Sequence, residues 1–133
     1  ELLRTSDVVS LHVPLTPQTD GLVSRERLAF LRDGATLVNT ARGAIVDEDA
    51  LVHELVSGRI SAGLDVFADE PRVPERLLEL PNVVLTPHIA SASLPTRRAM
   101  ANLAAENLIC VLDPAAGRTP PTVLNREVLA RRL

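Results

Sequence analysis

Short β-branched runs alternate with helical stretches along this chain, and that alternation most constrains the fold. Val8-Val9-Ser10-Leu11-His12-Val13 reads as a first strand, broken by Pro14, Thr16 and Pro17. Ser24 is placed to cap a helix running to about Arg32, with Leu28 and Leu31 on one face, and Asp33-Gly34 ends it. Residues 35–39 form the next strand. Asp47 caps a second helix whose first turn holds Glu48 and Asp49, where the helix dipole favours acids. Leu51, Val52, Leu55 and Val56 give that helix its apolar stripe, and Gly58 closes it. A third strand over 60–66, a short helix over 74–80 and a fourth strand over 82–86 follow. A long helix then runs from Leu94 or Pro95 to Leu112, with Ala99, Leu103, Asn107 and Cys110 near one face. Residues 113–121 hold Pro, Gly and Ala and read as a linker. Val123-Leu124 and Val128-Leu129 beyond it are apolar enough to dock.

Strands and helices in this order imply an α/β fold with a parallel sheet and right-handed crossovers. The runs 8–13 and 60–66 are nearly continuous in apolar character, as expected when both sheet faces are covered. Doubly wound sheets of this kind bind ligands at the carboxyl ends of their strands. A complete dinucleotide fold opens with G-x-G-x-x-G after its first strand. The six glycines here (Gly21, Gly34, Gly43, Gly58, Gly63 and Gly117) never fall at that spacing. The chain also opens on helical-looking Leu2-Leu3-Arg4 without an initiator Met. The expectation is the carboxyl-terminal half of a doubly wound sheet, with an amino-terminal half preceding it. Residues 1–112 are then a partial dinucleotide-binding domain lacking its glycine-rich loop, and 113–133 a linker and tail.

Composition narrows the partners. Hydrophobic residues make up 46%, enough to bury a core. Aromatics are only 2%, which argues against a stacking surface for single-stranded nucleic acid. Fourteen basic residues, all Arg, face 17 acids for a net charge of −3, with no basic block to meet a phosphate backbone. The single Cys110 cannot make an internal disulfide or a cysteine-rich metal site, and no metal is expected. There is no 18-residue apolar run for a membrane span, and residues 1–25 lack a signal-peptide layout, so the expected compartment is the cytoplasm.

Three polar residues follow strand ends: Arg42, Glu70 and His88. In a parallel sheet those ends share one edge, so the three can converge across the sequence. A guanidinium grips a carboxylate with two parallel hydrogen bonds, an imidazole exchanges a proton near neutral pH, and a carboxylate beside the imidazole fixes its tautomer and favours its charged form. Taken singly, each is more often a solvated or packed residue: an Arg after a strand is usually surface, a Glu before Pro71 usually a loop acid.

The wording of four segments goes further. Leu11-His12-Val13-Pro14-Leu15-Thr16-Pro17-Gln18-Thr19, Asn39-Thr40-Ala41-Arg42-Gly43-Ala44-Ile45-Val46-Asp47-Glu48, Gly63-Leu64-Asp65-Val66-Phe67-Ala68-Asp69-Glu70-Pro71 and Leu85-Thr86-Pro87-His88-Ile89-Ala90 resemble the motifs of the D-isomer-specific 2-hydroxyacid dehydrogenases, in family order. The ending around 123–129 is similar too. The phosphoglycerate dehydrogenase and hydroxypyruvate or glyoxylate reductase branch is the nearest in flavour. This resemblance implies a Rossmann-like sheet, with the long helix returning towards a substrate domain outside the chain. It implies that Arg42 binds the substrate carboxylate, that His88 protonates the alkoxide formed on reduction, and that Glu70 pairs with His88 and raises its pKa. Hydride would pass between the nicotinamide and the substrate carbon. His12, Val13 and Pro14, with Thr19 nearby, would line the adenosine and pyrophosphate side. Thr40, Ala41 and Arg42 would flank the nicotinamide, Asp65 would hold its carboxamide, and His88, Ala90 and Ser91 would lie against its ring. Many members carry glycines after the histidine, where this chain has Ala90, Ser91 and Ala92.

The cofactor implied is NAD. NADP is compatible as well, because the family's choosing residue lies in the half that holds the glycine fingerprint. The implied partners are a small 2-keto or 2-hydroxy acid and a second copy in a homodimer, with no nucleic acid and no membrane. A member of a different class shares the fold: a nicotinamide-sensing, dimerising corepressor-like protein that binds cofactor without turnover. On the enzyme reading, the fragment alone is expected to be inactive.

Overall fold

The computed structural model describes residues 1–113, 117–125 and 127. Its contacts divide into two units, Glu1–Ala90 and Ser91–Leu133.

The first unit is a four-stranded parallel sheet in the order β1 (Val8–Leu11), β2 (Thr36–Asn39), β3 (Ser61–Leu64), β4 (Val83–Leu85). Spatial order equals sequence order, which is what successive crossovers of one hand produce. The connections carry α1 (Leu2–Thr5) before β1, then α2 (Arg25–Leu28), α3 (Glu48–Val56) and single 3-10 turns at Gly43–Ile45 and Glu75–Leu77. Asp47 caps α3 as its sequence implies, its carboxylate accepting the Ala50 N–H.

Register explains the core. Val9, Leu37, Ala62 and Val83 lie side by side across the sheet, and so do Leu11, Asn39, Leu64 and Leu85. These positions share one face, because side chains alternate along a strand. That face packs against Leu28 and Leu31, Ala50, Leu51 and Leu55, and Leu77, forming one buried cluster. At about 25 cal/mol per Å² of apolar surface removed from water, this cluster is the dominant stabilising term.

The structure corrects five sequence expectations. The opposite sheet face is not fully covered within this chain: Val8 and Val84 are 62% and 68% exposed. The strand over 60–66 stops at Leu64 and alternates Ser61, Ala62, Gly63, Leu64, the pattern of a sheet with one buried face. The strand over 8–13 stops at Leu11, so His12 and Val13 belong to the loop beyond it. The helix over 24–32 is only α2, because the Arg59 guanidinium takes the Leu28 and Leu31 carbonyls and so ends the helix. The helix over 74–80 is reduced to one 3-10 turn with Leu77 as its buried anchor.

The second unit is built on α4 (Leu94–Leu112), capped by Ser93, whose hydroxyl accepts the Thr96 N–H. Of the expected apolar face only Cys110 is buried, while Met100, Leu103, Leu108 and Leu112 are exposed. Asn107 clasps the following segment through Thr122, donating to its hydroxyl and accepting its N–H. Leu124 is exposed. Val128 and Leu129 lie outside the described residues. No helix among the described residues is long and apolar enough to cross a membrane.

Candidate active site

Parallel register brings the carboxyl ends of all four strands into one row. The residues that follow Leu11, Asn39, Leu64 and Leu85 are His12, Thr40, Asp65 and Thr86. Every site residue expected from 12 to 90 lies on these exits. The exits are stitched together by backbone hydrogen bonds: Asp65 N–H to the Asn39 carbonyl at 3.0 Å, Thr86 N–H to Leu64 at 2.9 Å, and His88 N–H to Asp65 at 2.9 Å.

Glu70 and His88 meet directly. Nδ1 of His88 lies 2.8 Å from Oε2 of Glu70. An ionised carboxylate only accepts, so Nδ1 carries the proton and donates. Among the described residues nothing takes the other nitrogen, Nε2. The second Glu70 oxygen accepts the Phe67 N–H at 3.1 Å. The His88 hydrogen bond and the Phe67 N–H, helped by the charges of His88 and Arg42, hold the Glu70 carboxyl below its ordinary range against the opposing effect of burial. Glu70 is therefore ionised throughout the neutral range.

His88 adopts a left-handed backbone, φ 54°. A non-glycine residue there carries a cost of about 1–2 kcal/mol. Asp65 offsets it. Its buried carboxylate accepts the N–H groups of Ile89 and Ala90 at 2.8 and 2.9 Å and the Thr86 hydroxyl at 2.5 Å. Burial alone would raise the Asp65 pKa, but the Thr86, Ile89 and Ala90 hydrogen bonds and the nearby His88 outweigh it and leave the carboxyl below its ordinary value. The visible work of Asp65 is thus to hold the 86–90 loop.

Arg42 stands apart from this pair. Its guanidinium donates to its neighbour's carbonyl, Ala41 O, at 2.6 Å and is otherwise exposed. It is near enough to act on Glu70 through its charge but does not touch His88. Its loop is fixed by Asn39, a buried amide that donates to the Arg42 carbonyl at 2.9 Å and accepts the Ala41 N–H at 3.1 Å. Residues 12–15 and 40–42 line a hollow of about 460 Å³ at the ends of β1 and β2. That volume lies in the range of small-molecule sites. A smaller hollow of about 170 Å³ flanks the pair between Phe67, Val73 and Pro87.

Thr19 is not among the lining residues. Its hydroxyl donates to the Pro14 carbonyl at 2.6 Å and accepts the Thr16 N–H at 2.8 Å, so it shapes the turn that carries Pro14. Ser91 opens the second unit. Sequence reasoning missed the holding roles of Asn39, Thr86 and Glu48, the last of which accepts the Ala68 N–H at 2.9 Å. Asn39 had a readable signal: it shares strand parity with Leu37, so it had to be a buried polar group in need of partners.

Comparison with known proteins agrees with the motifs. Residues 1–90 match the sequence profile described as D-isomer specific 2-hydroxyacid dehydrogenase, NAD binding domain. The chain is 52% identical over 133 residues to a glyoxylate reductase of Pyrococcus horikoshii, covering 99% of this chain and 39% of that protein. Among solved structures, a Thermus thermophilus protein superposes with a TM-score of 0.84 at 53% identity, covering 92% of this chain and 39% of its own. The NADPH-dependent glyoxylate/hydroxypyruvate reductase of Sinorhizobium meliloti, solved with NADP and malonate, gives a TM-score of 0.76 at 47% identity over 81% of this chain and 34% of its own. The chain thus spans about two fifths of the length of the relatives it matches.

Proposed function

This chain belongs to the D-isomer-specific 2-hydroxyacid dehydrogenase family, and on that premise we propose that it supplies the catalytic edge of a nicotinamide-dependent oxidoreductase acting on a small 2-keto acid and its D-2-hydroxy counterpart. The observation that carries the reading is the His88–Glu70 pair at 2.8 Å, with Nε2 of His88 unengaged among the described residues, on the strand edge that also bears Arg42.

The chemistry follows from these groups. Arg42 binds the substrate carboxylate through paired charge-assisted hydrogen bonds and draws electron density from the adjacent keto oxygen. His88, held by Glu70 at Nδ1, gives its Nε2 proton to that oxygen as it becomes an alkoxide, and takes it back in the oxidative direction. Negative charge grows beside Arg42 and His88 during reduction, so both stabilise the transition state more than the neutral ketone. The hollow of about 460 Å³ lined by residues 12–15 and 40–42 would hold part of the cofactor, with 12–14 on its adenosine and pyrophosphate side and 40–42 beside the nicotinamide. When bound, the nicotinamide supplies the hydride.

The glyoxylate reductase relatives favour glyoxylate or hydroxypyruvate as substrate. Turnover needs a phosphate-binding glycine loop, which the six glycines of this chain do not form. The active species is therefore this chain joined to a segment carrying such a loop, as a cytoplasmic homodimer. The test is that gene product, assayed for oxidation of NADH and NADPH with glyoxylate and with hydroxypyruvate. Turnover with either acid supports the proposal. Cofactor binding that shifts the oligomeric state without turnover would overturn it in favour of a nicotinamide-sensing protein.

A further inference from the structure

The Arg42 loop and the turn that carries Glu70 approach each other closely through their backbones. A Cβ on Gly43 would fall 2.0 Å from the Phe67 carbonyl carbon, 2.1 Å from its oxygen and 2.4 Å from the Ala68 nitrogen. All three are backbone atoms, so no side-chain rotation relieves the clash, and only a residue without a Cβ fits. From the first turn of α3 the Glu48 carboxylate reaches the same turn and accepts the Ala68 N–H at 2.9 Å. One residue earlier, the Phe67 N–H donates to Glu70 Oε1 at 3.1 Å, and Glu70 Oε2 holds His88 Nδ1 at 2.8 Å.

We infer that Gly43 and Glu48 are positioning residues for the catalytic pair: together they seat the Phe67–Ala68 backbone against the Arg42 segment, and that seat sets where the Glu70 carboxylate meets the imidazole. Neither touches His88. Each acts through the turn, and hydrogen-bond strength falls steeply with distance and angle, so a small displacement of Glu70 is felt at Nδ1. The kinetic side of this inference rests on the dehydrogenase reading, whereas its structural side does not.

The test follows the His88 ring nitrogens by NMR at neutral pH in 15N-labelled protein, where the Nδ1 and Nε2 signals report which nitrogen carries the proton and how strongly it is hydrogen-bonded. The charged groups facing His88 are Glu70 at Nδ1 and Asp65 across the 86–90 loop, with Arg42 acting on Glu70. Glu70→Gln sets the full effect of losing the carboxylate. Glu48→Ala is expected to move the His88 ring-nitrogen signature part of the way to that of Glu70→Gln. Glu48→Gln keeps an oxygen that accepts the Ala68 N–H and is expected to restore the wild-type signature. In the active gene product, Glu48→Ala is expected to lower kcat several-fold with little change in KM, and Glu48→Gln to recover it. Gly43→Ala should act in the same direction, and if it fails to fold the Glu48 pair still decides. A His88 ring-nitrogen signature that Glu48→Ala leaves in place, while Glu70→Gln moves it, would overturn the inference. If wild type shows no turnover, the dehydrogenase reading fails and the NMR comparison still tests the positioning role.

Discussion

The two edges of the sheet use the same side chains to opposite ends. At the amino edge, just before β3, the Arg59 guanidinium is consumed inside the chain. It donates to Glu54 at 2.5 Å and to the Leu31 and Leu28 carbonyls at 2.6 and 2.8 Å. At the carboxyl edge the Arg42 guanidinium makes, among the described residues, one hydrogen bond, to its own neighbour. Asparagines repeat the contrast. Asn82 ties the Leu55 and Ile60 carbonyls and thereby fastens α3 to β3. Asn39 fastens only the loop on which Arg42 stands. The amino edge spends its charges on holding elements together. The carboxyl edge holds its loops with Asn39 and with the carboxylates of Glu48 and Asp65, and among the described residues leaves most of a guanidinium and an imidazole nitrogen free for a ligand. An arginine beside a strand is thus structural or functional according to where its donors go, not according to its position.

The sharpest break of this contrast is His88→Ala in the complete gene product. Loss of a general acid is expected to lower turnover by about 10²–10⁴-fold. His88 is half exposed, so the melting temperature should hardly move. A fall in turnover matched by a collapse in Tm would mean that His88 serves the fold instead. Next comes Arg42→Ala. A charge-assisted carboxylate grip of about 2–3 kcal/mol corresponds to a loss in kcat/KM of about 30–150-fold. KM should rise and turnover fall together. Arg42→Lys should recover little, because an ammonium lacks the planar fork. Full recovery by Lys would reduce Arg42 to a point charge.

Arg59→Ala inverts the pattern. It strands the half-buried Glu54 and two helix-end carbonyls, and urea denaturation should show a loss of about 2 kcal/mol, discounted for partial solvent access. Turnover per folded molecule should stay at wild type. Lower intrinsic turnover at unchanged stability would erase the distinction between the edges.

The sequence made one half of this contrast legible. Alternation of apolar runs sufficed for the parallel sheet, and Asp47 for the start of α3. Strand ends picked out Arg42, Glu70 and His88, since parallel order forces those ends to one edge. What stayed hidden was the holding layer. The bond from Glu48 to Ala68 spans 20 residues and that from Thr86 to Asp65 spans 21, so no local pattern signals either. The same holds for Arg59, whose reach to Leu28 shortened a helix that the sequence drew to Arg32. Asp65 was read as a cofactor contact on resemblance, and its engagement with Ile89 and Ala90 shows a structural duty that no spacing would reveal.

Asp65 lies on the functional edge yet holds structure, so it probes the contrast at its weakest point, and pH separates the two duties. In Asp65→Asn the amide nitrogen faces an N–H that the carboxylate accepted, which should cost about 1–2 kcal/mol at neutral pH. The folded carboxyl titrates below its unfolded value, which is about 3.9. A carboxyl of this kind stabilises the fold fully above the unfolded pKa, and its contribution fades as pH falls through the folded value. Asn does not titrate. The stability gap between wild type and Asp65→Asn should therefore be constant from about pH 7 to 5 and shrink below about pH 4. Glu70 is lowered in the same way but is common to both proteins, so to first order it cancels in the difference. Urea denaturation of the pair at neutral pH and at about pH 3 measures the gap directly. A gap that survives at the lower pH would show that Asp65 holds the 86–90 loop by shape alone, and that the charge on its carboxylate is reserved, like that of Arg42, for what binds at this edge.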